Sequence, residues 1–180
     1  MPRRYDPDRR QRIIDAAIRV VGRRGIAGLS HRAVAAEADV PLGSTTYHFA
    51  SLDDLLVAAL RQSNAEWLAG IEEWERGVDP SVPLADELTR LVEEELLGGD
   101  RAQVELEYEL YLAALRHEVV RPLAAECIDD MVGLLRRRTG DEGTARALVG
   151  LIDGLALQYL LTGREFDRSE VRDAVARVIG

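Results

Sequence analysis

The chain has no lysine, a single cysteine and few aromatic residues, 5% of its 180 positions. Each shortage removes a class of protein. A lone Cys127 cannot form an intramolecular bridge, so a disulfide-stapled scaffold is excluded. Polar and apolar residues nowhere alternate long enough for a half-buried strand, so no sheet is expected. The opening MPRRYDPDRRQR holds no apolar signal region. The longest apolar-rich stretch, Leu148 to Gly163, is broken by Asp153 and Gln158 and falls short of the roughly 20 residues that span a bilayer. A cytoplasmic protein with no membrane partner is the expectation. All 23 basic residues are arginine, to which we attach no functional meaning.

Catalytic constellations are missing too. His31, His48 and His117 are the only histidines and none has metal-ligand spacing, while Cys127 has no second thiolate nearby. The segment GRRGIAG superficially resembles a phosphate loop, but it follows a helix and lacks the terminal lysine, so a helix C-cap explains it better. There is no nucleophile elbow, nucleotide loop or zinc-protease pattern. The chain is therefore expected not to be an enzyme, with no cofactor and no metal, and Cys127 reads as a small buried residue.

What is present is the balance of a folded soluble protein, 47% hydrophobic and 31% charged, with a net charge of -9. That charge is unevenly placed. Residues 1–50 hold nine arginines against five carboxylates, a balance of +4, which leaves −13 on the other 130 residues. A basic end on an acidic body suits a small module that meets a polyanion. A basic arm without a partner has the same composition.

Apolar residues recur at spacings of three and four, so the chain reads as all-helical, with nine helices. The first runs from Asp8 to Arg23, with Gly25 just past it. Ser30 caps a short second helix to Ala38, with Leu29 and Val34 as a hydrophobic staple. Asp39 tolerates the left-handed turn, and Pro41 opens a third short helix ending at Tyr47 or His48. Ser51 and Asp54 approach a capping box that opens a long helix to about Arg76. Helices follow near Leu84–Leu97, Arg101–Arg116, from Pro122 to Arg138, Glu142–Thr162 and Ser169–Ile179, with Gly98 and Gly99 breaking the chain between the first two. Two domains are expected, 1–50 and 51–180.

Helix, tight turn and helix in a basic N-terminal module is a layout that sets one helix in the major groove of DNA. Leu42, Thr45 and Phe49 share one side of the third helix, which turns Gly43, Ser44 and Tyr47 outward. Glycine admits close approach, serine donates or accepts, and tyrosine bonds phosphate or packs on a thymine methyl.

The stretch RQRIIDAAIRVVGRRGIAGLSHRAVAAEADVPLGSTTYHFASLDDLL resembles the DNA-binding domain of the TetR family of transcriptional repressors, over about residues 9–60. Gly25, Ser30, Ala35, Val40, Gly43, His48, Phe49 and Ser51 carry the likeness. It implies DNA contacts at Ser30, Arg32, Leu42, Gly43, Ser44, Thr45, Thr46, Tyr47 and His48. Three positions depart from the family pattern, which has glycine for Asp39, tyrosine for Thr46 and lysine for Leu52. Part of the usual phosphate clamp is thereby absent, and Arg32, Tyr47, His48 and the arginines near the N-terminus are expected to take up more of that work; Arg3, Arg4, Arg9 and Arg10 could reach along the backbone or into the minor groove, although such an arm is more often simply disordered.

The resemblance further implies a homodimer on a palindromic operator, released by a small-molecule effector. Gly150 and Gly154, with Ala147, Leu151, Leu155 and Leu161, would let a facing helix pack closely, although the same stripe serves equally as a monomer core. Trp67, Trp74, Tyr108, Tyr111, Met131 and Tyr159 are candidates for an effector cavity, and Glu105 and Glu109 would suit a cationic effector. The competing reading is a helical ligand-binding or protein-interaction adaptor that has lost DNA binding, for which Thr46 and Leu52 are the best support.

Overall fold

The three-and-four spacing becomes nine α-helices, with no strand, among the residues described by a computed structural model, 7–97 and 101–180. In order they are α1 (Arg9–Arg24), α2 (His31–Glu37), α3 (Leu42–His48), α4 (Leu52–Gly77), α5 (Leu84–Leu91), α6 (Arg101–Ala114), α7 (Arg121–Thr139), α8 (Glu142–Thr162) and α9 (Arg168–Ile179). A short turn of helix, Ile26–Gly28, joins α1 to α2. Arg3 and Arg4 of the expected arm, and the Gly98–Gly99 break, lie outside the described residues. Arg9 and Arg10 are not part of a free arm but the first residues of α1.

Local signals set most of the ends. The Ser51 hydroxyl accepts from the Asp54 N–H at 3.0 Å while the Asp54 carboxylate accepts from the Ser51 N–H at 3.1 Å, a complete capping box at the start of α4. Asp141 caps α8 through the Thr144 N–H, and Asp167 caps α9 through those of Ser169 and Glu170. The Ser169 hydroxyl, which also donates to Asp167 at 2.6 Å, and these N–H bonds hold the Asp167 carboxyl below the usual aspartate range, and the Thr144 N–H does the same for Asp141. Two helices are shorter than expected. The one expected through Leu97 is regular only to Leu91 and then widens into a π turn, Val92–Leu97. Just before it the buried Thr89 hydroxyl donates back to the Ala85 carbonyl, a bond that loosens a helix. The next helix stops at Ala114, where Arg116 and His117 both bond the Ala113 carbonyl in a tight turn.

The chain folds into two compact units. The first takes in the residues up to Trp67 together with Glu105–Ala124, so it is wider than the segment 1–50; the second is Leu68–Val104 with Ala125–Gly180. In the first, Ile13, Ala16, Ala17 and Val20 of α1 and Val34 of α2 are fully or almost fully buried. Polar bonds join α1 to α4 as well: the Gln62 amide donates to Asp15 at 2.9 Å and accepts from Gln11. In the second unit α9 packs on α5 and α8 through buried Val171 and Val175, flanked by ion pairs Arg172–Asp86 and Arg168–Glu93, each 2.6 Å. Cys127 is buried.

Helix α8 is longer than the apolar stretch seen in the sequence. At 21 residues it is long and apolar enough to cross a membrane by length and composition. Ala145, Leu148, Val149, Ile152 and Ala156 are buried in the second unit, whereas Leu157 and Leu161 are exposed.

Truncating Ile13 to alanine removes a wholly buried side chain and is expected to cost about 2–5 kcal/mol. Urea unfolding of the variant beside the parent chain measures it.

Candidate nucleic-acid interface

Helix α2 begins where the Ser30 hydroxyl accepts from the Ala33 N–H at 3.1 Å. It ends in a turn that needs one residue in the left-handed region. Asp39 supplies it with φ 51, the only positive φ outside glycine among the described residues. The Val40 N–H then bonds the Ala35 carbonyl at 3.0 Å, and Pro41 leads into α3. Buried Ala35 and Ala38 keep the two short helices close.

The sides of α3 are sharply divided. Thr45 is 0% exposed and its hydroxyl donates to the Leu42 carbonyl at 2.8 Å. Phe49, just past the helix, is buried as well, with the Arg10 guanidinium 5.0 Å from its ring centre. On the other side Tyr47 is 84% exposed and stands edge-on to the half-buried His48 at 5.2 Å. Gly43 and Thr46 are exposed, and a Cβ on Gly43 would meet nothing within 4 Å. Ser30 and Arg32 are exposed on α2, and Ser44 is half-buried.

Two expectations are corrected here. Thr45 cannot offer its side chain to DNA, because it is enclosed and its hydroxyl is already bonded within the helix. Leu42, expected on the inner side with Thr45, is 47% exposed: side chains lean toward a helix's N-terminus, and Leu42, the first residue of α3, has no preceding helical turn to lean on. Sequence reasoning also missed a tie between α1 and α2. Glu37 accepts from Arg19 Nε at 2.7 Å and from the Arg23 guanidinium, so two of the nine N-terminal arginines share one carboxylate within the module itself. The Arg19 hydrogen bond, helped by Arg23, holds the Glu37 carboxyl below its usual range. An acid on α2 facing two arginines one turn apart on α1 was the available signal.

The other candidates are distributed between the units. Trp67, Glu105, Tyr108 and Tyr111 belong to the first, where Tyr108 is buried, Tyr111 half-buried and their rings edge-on at 6.1 Å. Glu105 is exposed. Trp74, Met131 and Tyr159 belong to the second. Met131 is buried, the half-buried Tyr159 ring lies 5.4 Å from that of Phe166, and the buried Trp74 indole N–H has no hydrogen-bond partner among the described residues. Glu109 does not stand clear for an effector: it accepts from the Ile26 N–H at 2.9 Å. On α8, Ala147, Gly150 and Leu161 are exposed and Leu151, Gly154 and Leu155 half-buried. A Cβ on Gly150 or Gly154 would meet nothing within 4 Å.

Comparison with known proteins agrees with this geometry. Residues 13–59 match the model of bacterial regulatory proteins of the tetR family, and residues 81–180 that of the tetracyclin repressor-like C-terminal domain. The chain is 27% identical to the nicotine-responsive transcriptional repressor HdnoR of Paenarthrobacter nicotinovorans over 163 residues, 84% of each protein. It is 60% identical to the multidrug binding protein EbrR in a crystal structure with imidazole, covering 97% of both chains with a TM-score of 0.86. A structure of EbrR with ethidium gives 58% identity, 96% and 99% coverage and a TM-score of 0.84.

Two measurements check the module. Glu37→Gln should lower the melting temperature at neutral pH, because a depressed carboxyl stabilises the fold above its ordinary 4.5 and ceases to as pH falls through its lower folded value. The gap between variant and parent should therefore close in acid, as melts across the pH range read directly. Asp39→Gly should stabilise by about 1 kcal/mol by relieving the left-handed strain, whereas Asp39→Ala should destabilise, both read from denaturant midpoints.

Proposed function

The chain belongs to the TetR family of bacterial regulatory proteins, and from that footing we propose that it is a transcriptional repressor whose homodimer holds a palindromic operator until a small-molecule effector releases it. Residues 1–50 read DNA, and residues 51–180 bind the effector and pair the protomers. The observation that carries the first half is the division of α3, with Thr45 locked inside and Tyr47 held out. A side chain as large as tyrosine, 84% exposed on a module with surplus arginine, is suited to a phosphate or a thymine methyl. Arg32 on α2 is exposed and has no ion-pair partner among the described residues, so its charge is available to the backbone. Gly43 and Thr46 complete the outward face, with Leu42, Ser44 and His48 at its margins and Ser30 at the start of α2. Thr45 contributes by positioning α3.

Pairing is supported by α8. Glycines 150 and 154 lie in open space within their own chain, so their small size serves no packing there, and Leu161 is 82% exposed beside them. A second copy laid on this face would use both features. A cationic aromatic effector is supported by the likeness to EbrR, which was solved with ethidium, a flat aromatic cation. Tyr108, Tyr111 and the Glu105 carboxylate on α6 offer aromatic surface and negative charge to such a molecule.

Selecting bound sequences from random duplexes tests binding, symmetry and half-site spacing together. The selected duplex should bind with log affinity falling linearly as log salt rises. Tyr47→Ala and Arg32→Ala should each weaken it by roughly 1–3 kcal/mol, about 5- to 150-fold. Indifference to salt and to both substitutions would point instead to an adaptor that has left DNA behind, and a solution mass near 19.9 kDa would remove the dimer.

A further inference from the structure

The turn that leads into α2 is held by a side chain 83 positions further along the chain. Glu109 of α6 reaches Ile26, the first residue of that turn, and its Oε2 accepts the Ile26 N–H at 2.9 Å. Its Oε1 lies 3.0 Å from where a Cβ on Gly25 would stand, and Gly25 has φ 68, so glycine alone lets the turn come this close in this conformation. Both groups lie in the first compact unit. Beside the bond a cavity of about 640 Å³ separates α6 from its neighbours, walled by Leu29, Leu52, Leu56, Leu112 and Leu115. The turn and α6 are thus tied by a charge-assisted hydrogen bond at the edge of this open space. Four residues after Ile26 stands Ser30, the cap of α2, so the turn sets where α2 begins.

We propose that Glu109 is a positioning residue that couples α6 to the DNA-reading helices, by anchoring the Ile26–Gly28 turn through the Ile26 amide. Glu105, Tyr108 and Tyr111, the effector contacts argued above, stand on the same helix, and the proposal rests on that effector-responsive reading. Glu109 would then act in release of DNA and not in holding the effector. The step needs no change in any other contact of the effector, only a displacement of α6 that the carboxylate cannot follow while still bonded to Ile26.

The test compares the full-length parent chain with Glu109→Ala and with Glu109→Gln, which keeps an acceptor oxygen. Ethidium is the probe, and the duplex is one selected by the parent; because ethidium itself intercalates in duplex DNA, the weakening it causes for an unrelated repressor on its own duplex is measured and divided out of every ratio. Three quantities are read: ethidium affinity by fluorescence, duplex affinity with and without saturating ethidium, and amide hydrogen exchange at Ile26 with and without ethidium. In the parent, ethidium should weaken the duplex by roughly 5–150-fold, the usual span of such couplings, and speed exchange at Ile26. Glu109→Ala should keep its ethidium affinity within about twofold yet lose most of that ratio, and Ile26 should exchange fast whether or not ethidium is bound. Glu109→Gln should restore much of the coupling. An alanine variant as responsive as the parent overturns the proposal, as does one that loses ethidium affinity, which would make Glu109 an effector contact. So does parent exchange at Ile26 that ignores ethidium, a readout that needs no variant to fold. A parent that binds ethidium and shows the exchange change but ignores duplexes defeats the regulator reading and leaves the anchoring intact. A parent that binds no ethidium overturns the proposal and the cationic-effector reading, while DNA reading is judged by the duplex affinity alone.

Discussion

Helix α3 has seven residues, two turns, and a helix that short does not persist alone in water. Its shape and direction are therefore imposed by what its inner side touches. Thr45 is enclosed and bonded to the carbonyl three residues before it, and Phe49 is buried beneath the Arg10 guanidinium. The left-handed Asp39, the Ser30 cap and the tie from Glu37 to Arg19 and Arg23 all fix the path of the chain into and around this contact. Every outward side chain inherits its aim from it. Tyr47 and Gly43 address a partner because Thr45 and Phe49 do not.

Helix ends were largely legible in the sequence, because caps are local. Ser30, the Ser51–Asp54 box and Gly25 each act within four residues, so spacing alone reveals them. The strained turn was legible for the same reason, since aspartate is one of few side chains that tolerate a positive φ. Features that depend on a second element were harder to read. Spacing put Leu42 on the side of Thr45 but could not show that it is left exposed there. Glu109 had the right charge for a cationic effector and instead bonds a peptide N–H far away in sequence. The widening after Leu91 comes just past the buried Thr89, whose hydroxyl donates back to the Ala85 carbonyl, a bond that composition does not encode. The candidates for an effector cavity stand on four helices, α4, α6, α7 and α8, and Tyr108 and Met131 are buried while Tyr111 and Tyr159 are half-exposed, because period orders residues on a helix and not helices around a core.

Charge is organised on a similar principle of local neutralisation. Arginine on α9 meets Asp86 and Glu93, and Arg137 meets Glu75, so much of the acidic body is paired within itself. In the basic module Glu37 takes up two arginines, while Arg32 keeps its charge near α3. The polyanion-facing surplus is accordingly smaller and more focused than the raw count of nine arginines indicates. Surface pairs of this kind add little to stability, and their effect is mainly on which groups remain to attract a partner.

The first compact unit is assembled from two stretches of chain that are not adjacent, one ending at Trp67 and one running from Glu105 to Ala124. Cutting after His48 would strip the Gly25 turn of its carboxylate and α1 of its polar bonds to Gln62. The DNA reader is consequently not a portable cassette: transplanting it onto another scaffold requires carrying the start of α4 and a stretch of α6 with it. The same entanglement ties the two halves of the gene together in evolution, since a recombination event between residues 67 and 105 would hand the reader a foreign helical wall.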